Sequence, residues 1–139
     1  MKTLFRFFLI VSFILPLTAI AAFASSEIPV YTEQKTSFII TPEQPEFIIK
    51  LKSNPTTGYS WFLREYHSRY LEPIKHRFLR PENSKMIMGA PGYELWTFKV
   101  KPAAFVVPLR TSFVFNYLRP WEKRDPITKL VFWISTKGR

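Results

Sequence analysis

The run Tyr93-Glu94-Leu95-Trp96-Thr97-Phe98-Lys99-Val100-Lys101 constrains this chain more than any other stretch. Its residues alternate, with Glu94, Trp96, Phe98 and Val100 at one parity and Tyr93, Leu95, Thr97 and Lys99 at the other. A period of two sends successive side chains to opposite sides of an extended strand, which predicts a strand with Trp96, Phe98 and Val100 toward a core. The period recurs at residues 111–118, where Phe113, Phe115 and Tyr117 share a face, and at 129–136, where Leu130, Phe132 and Ile134 oppose Val131 and Trp133. Shorter runs of the same type lie at 30–33, 37–41, 46–52, 59–65 and 75–80, separated by Pro, Gly, Asn and Asp. With 12 prolines and no long helical period, the expected fold is all-β: an immunoglobulin-like antiparallel β-sandwich of seven to eight strands. Phe105-Val106-Val107 lies between Pro102 and Pro108, so it is predicted as a short edge strand at most.

The first residues have a different logic. Lys2 and Arg6 precede an apolar run from Phe7 to about Ile20, and small residues follow at Ala22 and Ala24. This predicts a secretory signal peptide at 1–24, cleaved after Ala24, and one domain at 25–139. A retained membrane anchor fits less well, because the run contains Pro16 and falls short of the ~20 apolar residues a span needs. The expected location is periplasmic or secreted. Cleavage removes two of 20 basic residues and none of the 10 acidic ones, leaving a net charge of +8. The remaining cations are scattered, which argues against a nucleic-acid tract. The chain has no cysteine, so a thiol nucleophile, a thiolate metal site and disulfide bracing are excluded.

Three connections carry unusual residues. Asn54-Pro55-Thr56-Thr57-Gly58-Tyr59 is made of turn formers: Pro55 presets φ, Asn54 can bond its own backbone two residues on, and Gly58 accepts positive φ. Such residues also make a plain hairpin. The second connection, Lys85-Met86-Ile87-Met88-Gly89-Ala90-Pro91-Gly92, uses two glycines where backbone can approach another surface closely, or simply forms a loose loop. The third, Arg119-Pro120-Trp121-Glu122, sets an indole in a charged turn, as an exposed anchor or a lid on the sandwich edge. One strand pair separates each connection from the next. Two antiparallel crossings return the chain to the end it left, so the three loops are expected at one end of the sandwich.

These motifs, in this order and with Trp61 beyond the first and Tyr93-Glu94-Leu95-Trp96-Thr97-Phe98 beyond the second, resemble the chagasin family of inhibitors of papain-like cysteine peptidases. The resemblance covers nearly the whole chain after the signal. It implies an immunoglobulin-like sandwich whose loops form a wedge. Residues Gly89, Ala90, Pro91 and Gly92 are then expected to cross the peptidase cleft. Asn54, Pro55, Thr56, Thr57, Gly58 and Tyr59 would lie near the catalytic cysteine and histidine, and Arg119, Pro120 and Trp121 would brace the flank. Two departures stand out. Pro91 occupies a position that is glycine in the family's Gly-x-Gly-Gly pattern and removes one backbone donor. The stretch 102–110 is longer than the family's usual short turn there.

The implied function is reversible, competitive occlusion, requiring no catalytic residue, metal or cofactor. A three-loop surface of this kind can bury on the order of 800 Å² per partner. The expected partner is a papain-like cysteine peptidase, with no nucleic acid, no stable membrane anchor after signal cleavage, and a monomeric inhibitor. An enzyme is disfavoured: His67 and His76 are the only histidines, and neither a Gly-x-Ser-x-Gly motif nor metal-ligand spacing occurs. The competing reading is an exported basic module that binds anionic envelope glycans or lipids through its charge.

Overall fold

Alternating side chains become eight strands in two four-stranded sheets. The computed structural model describes residues 27–80, 89–123 and 127–138. The signal segment 1–24, the stretch Lys85-Met86-Ile87-Met88 and the turn residues Arg124, Asp125 and Pro126 lie outside the described residues. The strands are β1 (Val30–Tyr31), β2 (Ser37–Ile40), β3 (Glu46–Ser53), β4 (Ser60–Tyr66), β5 (Leu71–Leu79), β6 (Gly92–Val100), β7 (Arg110–Leu118) and β8 (Thr128–Thr136). One sheet has the order β1-β3-β6-β5 and the other β2-β8-β7-β4. Pairing is antiparallel through both sheet centres, as expected for an immunoglobulin-like sandwich, while the short edge strands β1 and β2 pair parallel to β3 and β8.

Two elements differ from the sequence expectation. β5 begins at Leu71, four residues before the predicted start, and carries Pro73 beside a register shift between Pro73 and Lys75. Proline is tolerated here because β5 is the sheet's edge, where the missing N–H interrupts no second ladder. Residues 105–107 form no strand. Pro102–Phe105 is a single 3-10 turn with Pro102 in its first turn; it buries Ala104 and Phe105 and leaves Val106 and Val107 exposed. The Thr136 hydroxyl donates to the Ala104 carbonyl at 2.6 Å and fixes this turn against β8. The longer 102–110 connection is therefore a plug for one end of the core.

The core is an aromatic stack. Phe47 and Phe98 of one sheet and Phe113, Phe115 and Phe132 of the other are fully buried. Phe47 stacks on Phe98 at 5.4 Å, Phe113 on Phe132 at 5.2 Å, and Phe98 meets Phe113 between the sheets at 5.1 Å. Burying each ring is worth about 1.5–3 kcal/mol, and with no disulfide this burial is what holds the sheets together. Trp96 is half-buried and Trp133 exposed, following the parity of their strands.

Candidate functional site

Strand register sets where the loops emerge. Ser53 at the end of β3 pairs with Gly92 at the start of β6, and Ser60 at the start of β4 pairs with Leu118 at the end of β7. The connections β3–β4, β5–β6 and β7–β8 therefore leave one end of the sandwich. The absence of a strand at 105–107 keeps this parity intact. A cavity of about 330 Å³ lies at the other end, among His67, Tyr70, Arg110 and Trp133. The three loops thus rise from the end away from it.

The first loop is rigid by construction. Pro55–Thr57 forms a 3-10 turn closed by Gly58 at φ 81°, a left-handed conformation that favours glycine. Thr57 N–H donates to Asn54 O and Gly58 N–H to Pro55 O. The Asn54 side chain makes no bond to the backbone two residues on. Its Oδ1 instead accepts from the Thr56 hydroxyl at 2.6 Å, and the Thr57 hydroxyl donates to Asn54 O at 2.6 Å. Both hydroxyl protons are thus committed inside the loop, while Pro55, Thr56 and Thr57 stay exposed. Below, the Asn54 N–H donates to the Tyr117 hydroxyl of β7, and Tyr117 stacks against Tyr59 at 5.2 Å.

The second and third loops lean on the first. Gly89, at φ 83°, lies beside Thr56: a methyl group built on it would stand 3.5 Å from the Thr56 hydroxyl oxygen. Arg119 Nε donates to Thr57 O at 2.9 Å, and its guanidinium lies 4.6 Å from the centre of the Tyr59 ring. Trp121 crosses Gly58 so closely that a methyl group there would sit 2.7 Å from Cζ2, yet the indole is 69% exposed. Gly58 thus serves two demands, the positive φ and the room for Trp121. Arg119 and Trp121 are neither a free arm nor a core lid. They join the third loop to the first and leave most of one aromatic surface outward.

Gly92 differs from the other predicted contact residues. It is buried, and a methyl group on it would lie 2.4 Å from Phe78 Cζ and 2.6 Å from Leu79 O. Its missing side chain lets β5 and β6 close at the loop root. Gly89 and Pro91 are exposed and Ala90 is half-buried, so the outward strip of the second loop is 89–91.

Sequence reasoning missed the strut under the rim. Glu94 is 2% exposed, and its Oε1 accepts from the Ser53 hydroxyl at 2.7 Å and from Trp61 N–H at 3.1 Å, while Oε2 lies 2.9 Å from His76 Nε2. Ser53 and Trp61 flank the first loop, and Glu94 follows the second. One carboxyl therefore ties both legs of the first loop to the sheet carrying the second. His76 stacks on Trp96 at 3.9 Å, and Trp61 Nε1 donates to Lys52 O at 2.9 Å. The signal was present: Glu94 shares the parity of Phe98 and Val100, and a carboxyl facing a core must find donors.

The assembled surface is suited to insertion. It offers exposed backbone and one large half-anchored aromatic ring, with its charges on the third loop, on a base whose conformational freedom is already spent. His67 is exposed at the opposite end and His76 is engaged with Glu94, so the two histidines do not share a site. Among the described residues, no group of three or more His, Cys, Asp or Glu residues is placed to hold a metal ion.

Comparison with solved structures finds the same fold at low sequence identity. The cysteine protease inhibitor EhICP2 from Entamoeba histolytica superposes with a TM-score of 0.61 and 22% identity, covering 79% of this chain and 95% of that one. The solution structure of amebosin gives 0.62 and 19%, covering 80% and 99%. PbICP-C, solved in complex with falcipain-2, gives 0.52 and 18%, covering 81% and 93%. A search of curated protein sequences finds no match. Residues 41–135 match the Chagasin family peptidase inhibitor I42, a span that includes all three loops and the strut beneath them, and the chain belongs to that family.

Proposed function

We propose that this protein is a reversible, competitive inhibitor of papain-like cysteine peptidases that acts without chemistry of its own. The observation that carries the reading is the fusion of three loops into one rim: Arg119 bonded to Thr57, Trp121 laid over Gly58, and Gly89 against Thr56. A papain-like cleft already holds its thiolate and imidazolium, so blocking it takes a complementary ridge that presents no peptide bond in cleavable register. The first loop is suited to the neighbourhood of the catalytic pair because its hydroxyl protons are internally bonded while Thr56 and Thr57 stay exposed. The strip Gly89-Ala90-Pro91 is suited to the groove: Pro91 has no N–H to leave unpaired there, and its ring reduces the freedom lost on binding. Trp121 supplies apolar area at the flank. Membership of an inhibitor family, and the complex of PbICP-C with falcipain-2, support a cysteine peptidase as partner and a non-enzymatic role.

Residues 1–24 serve in this proposal as a cleaved export signal, on the strength of Lys2, Arg6, the apolar run and Ala22 and Ala24, and place the inhibitor in a periplasm or outside the cell. The deciding experiment titrates the purified protein against a papain-like peptidase with a fluorogenic substrate, alongside a serine peptidase. Stoichiometric, competitive and reversible inhibition of the first alone is expected. Failure against several papain-like enzymes by folded protein overturns the reading.

A further inference from the structure

Arg119 apart, the loop contacts described above leave the basic charge of the chain unused, and the fold arranges part of that charge. On the outer face of the β1-β3-β6-β5 sheet, β3 presents Lys50 and Lys52, β5 presents Lys75 and Arg77, and β6 runs between them with Tyr93, Leu95 and Thr97. The register aligns them in rows: Lys50 and Arg77 flank Leu95, Lys52 and Leu79 flank Tyr93, and Ile48 and Lys75 flank Thr97. The face's two acids on these strands, Glu46 and Glu72, both stand beside Lys99 in the row farthest from the loops. The result is two cationic rails on strands about 10 Å apart, with an uncharged floor. Leu95 points outward yet is only 7% exposed, as expected where the long stems of Lys50 and Arg77 lie over it. Lys50 Nζ leans onto the Tyr93 ring at 4.2 Å, which brings one cation over the floor. The other sheet is different: the strands β7 and β8 present Ser112, Val114, Asn116, Val131 and Trp133 outward, with Arg110 and Lys129 at opposite ends and Arg110 laid over the Trp133 ring.

We propose that this trough binds a linear anionic polysaccharide, a chain of uronate or sulfated sugars lying along β6 between the rails. The rails supply charge along a line, and the floor supplies the Tyr93 and Thr97 hydroxyls to sugar hydroxyls. A single-stranded nucleic acid would need stacking platforms, and the one ring on the floor is capped by Lys50. A bilayer would be served by a continuous outward apolar strip, and here Leu95 is covered, Ile48 is half-buried and the exposed Val30 and Leu79 stand on opposite edge strands of the sheet. The trough lies on a sheet face and the rim at the sandwich end, so glycan and peptidase can be held together, which would anchor the inhibitor to an anionic matrix.

The test measures binding of a labelled heparin oligosaccharide to the purified protein across a salt series, with phosphatidylglycerol vesicles and single-stranded DNA as competing probes. Affinity is expected to fall linearly with log salt, and the pair Lys50→Glu with Arg77→Glu should lower it about tenfold or more. Lys129→Glu with Lys137→Glu changes net charge equally on exposed positions outside the trough, and should change affinity about twofold or less. Peptidase inhibition should be equal in both pairs, showing that they are folded. Equal loss in the two pairs, or tighter binding to vesicles or DNA than to the oligosaccharide, overturns the proposal.

Discussion

The middle of the sandwich and its loop end are held by opposite means. In the middle, Phe47, Phe98, Phe113, Phe115 and Phe132 exclude water completely, and each ring touches several others. At the loop end, few contacts are apolar. Asn54 is bonded by two threonine hydroxyls, Arg119 reaches one carbonyl, and two glycines admit neighbours that no other residue would. The core resists change through many weak contacts, whereas the rim depends on a few specific ones. Stability and binding should therefore separate under mutation.

The largest effect should come from the core. Phe98→Ala is expected to lower stability by about 3–5 kcal/mol, read by denaturant unfolding, and to lower inhibition only through the fraction unfolded. Trp121→Ala should do the reverse, weakening peptidase binding by about 2 kcal/mol or more while the unfolding midpoint stays put. A shifted midpoint with unchanged affinity would make the indole a structural cover and erase the contrast. Gly58→Ala belongs to both regions. It forces a left-handed φ on alanine and pushes into Trp121, so a stability loss of about 1 kcal/mol should accompany a loss of affinity. Glu94→Gln gives the smallest expected change, about 1 kcal/mol in stability, since the amide keeps the shape and loses the charge-assisted bonds. Its sharper readout is dissociation rate: a strut under two loops should, once weakened, speed release of the peptidase more than it slows association.

Most of the fold could be read from parity. Seven of the eight strands begin within one residue of the predicted start; in the longer ones alternation of inward residues marks that start, and β4 keeps it until its register shifts between Leu63 and Glu65. β5 was the exception, since Pro73 and the bulge at Ile74 break its period, and its edge position is a tertiary fact. Phe105-Val106-Val107 is apolar and in sequence reads as a short edge strand at most; local composition does not reveal that Ala104 and Phe105 lie in a 3-10 turn that plugs an open end. At the site, the loops and their common location followed from motif order and topology. Which side chains face the partner and which face each other did not. Gly92 and Arg119 share loops with exposed contact residues, yet one closes a strand pair and the other staples two loops, and both roles depend on neighbours distant in sequence, as does Glu94.

The connectivity has one more implication. The second loop joins two strands of one sheet, the third joins two strands of the other, and the first alone passes from sheet to sheet. The span of the ridge is then the gap between the sheets, about 10 Å, and the phenylalanines that fill that gap act as its calliper. A conservative change of ring volume deep in the interior would open or close the jaws by a fraction of an ångström and alter which clefts they fit. Selectivity among peptidases would then be adjustable from positions that never touch one.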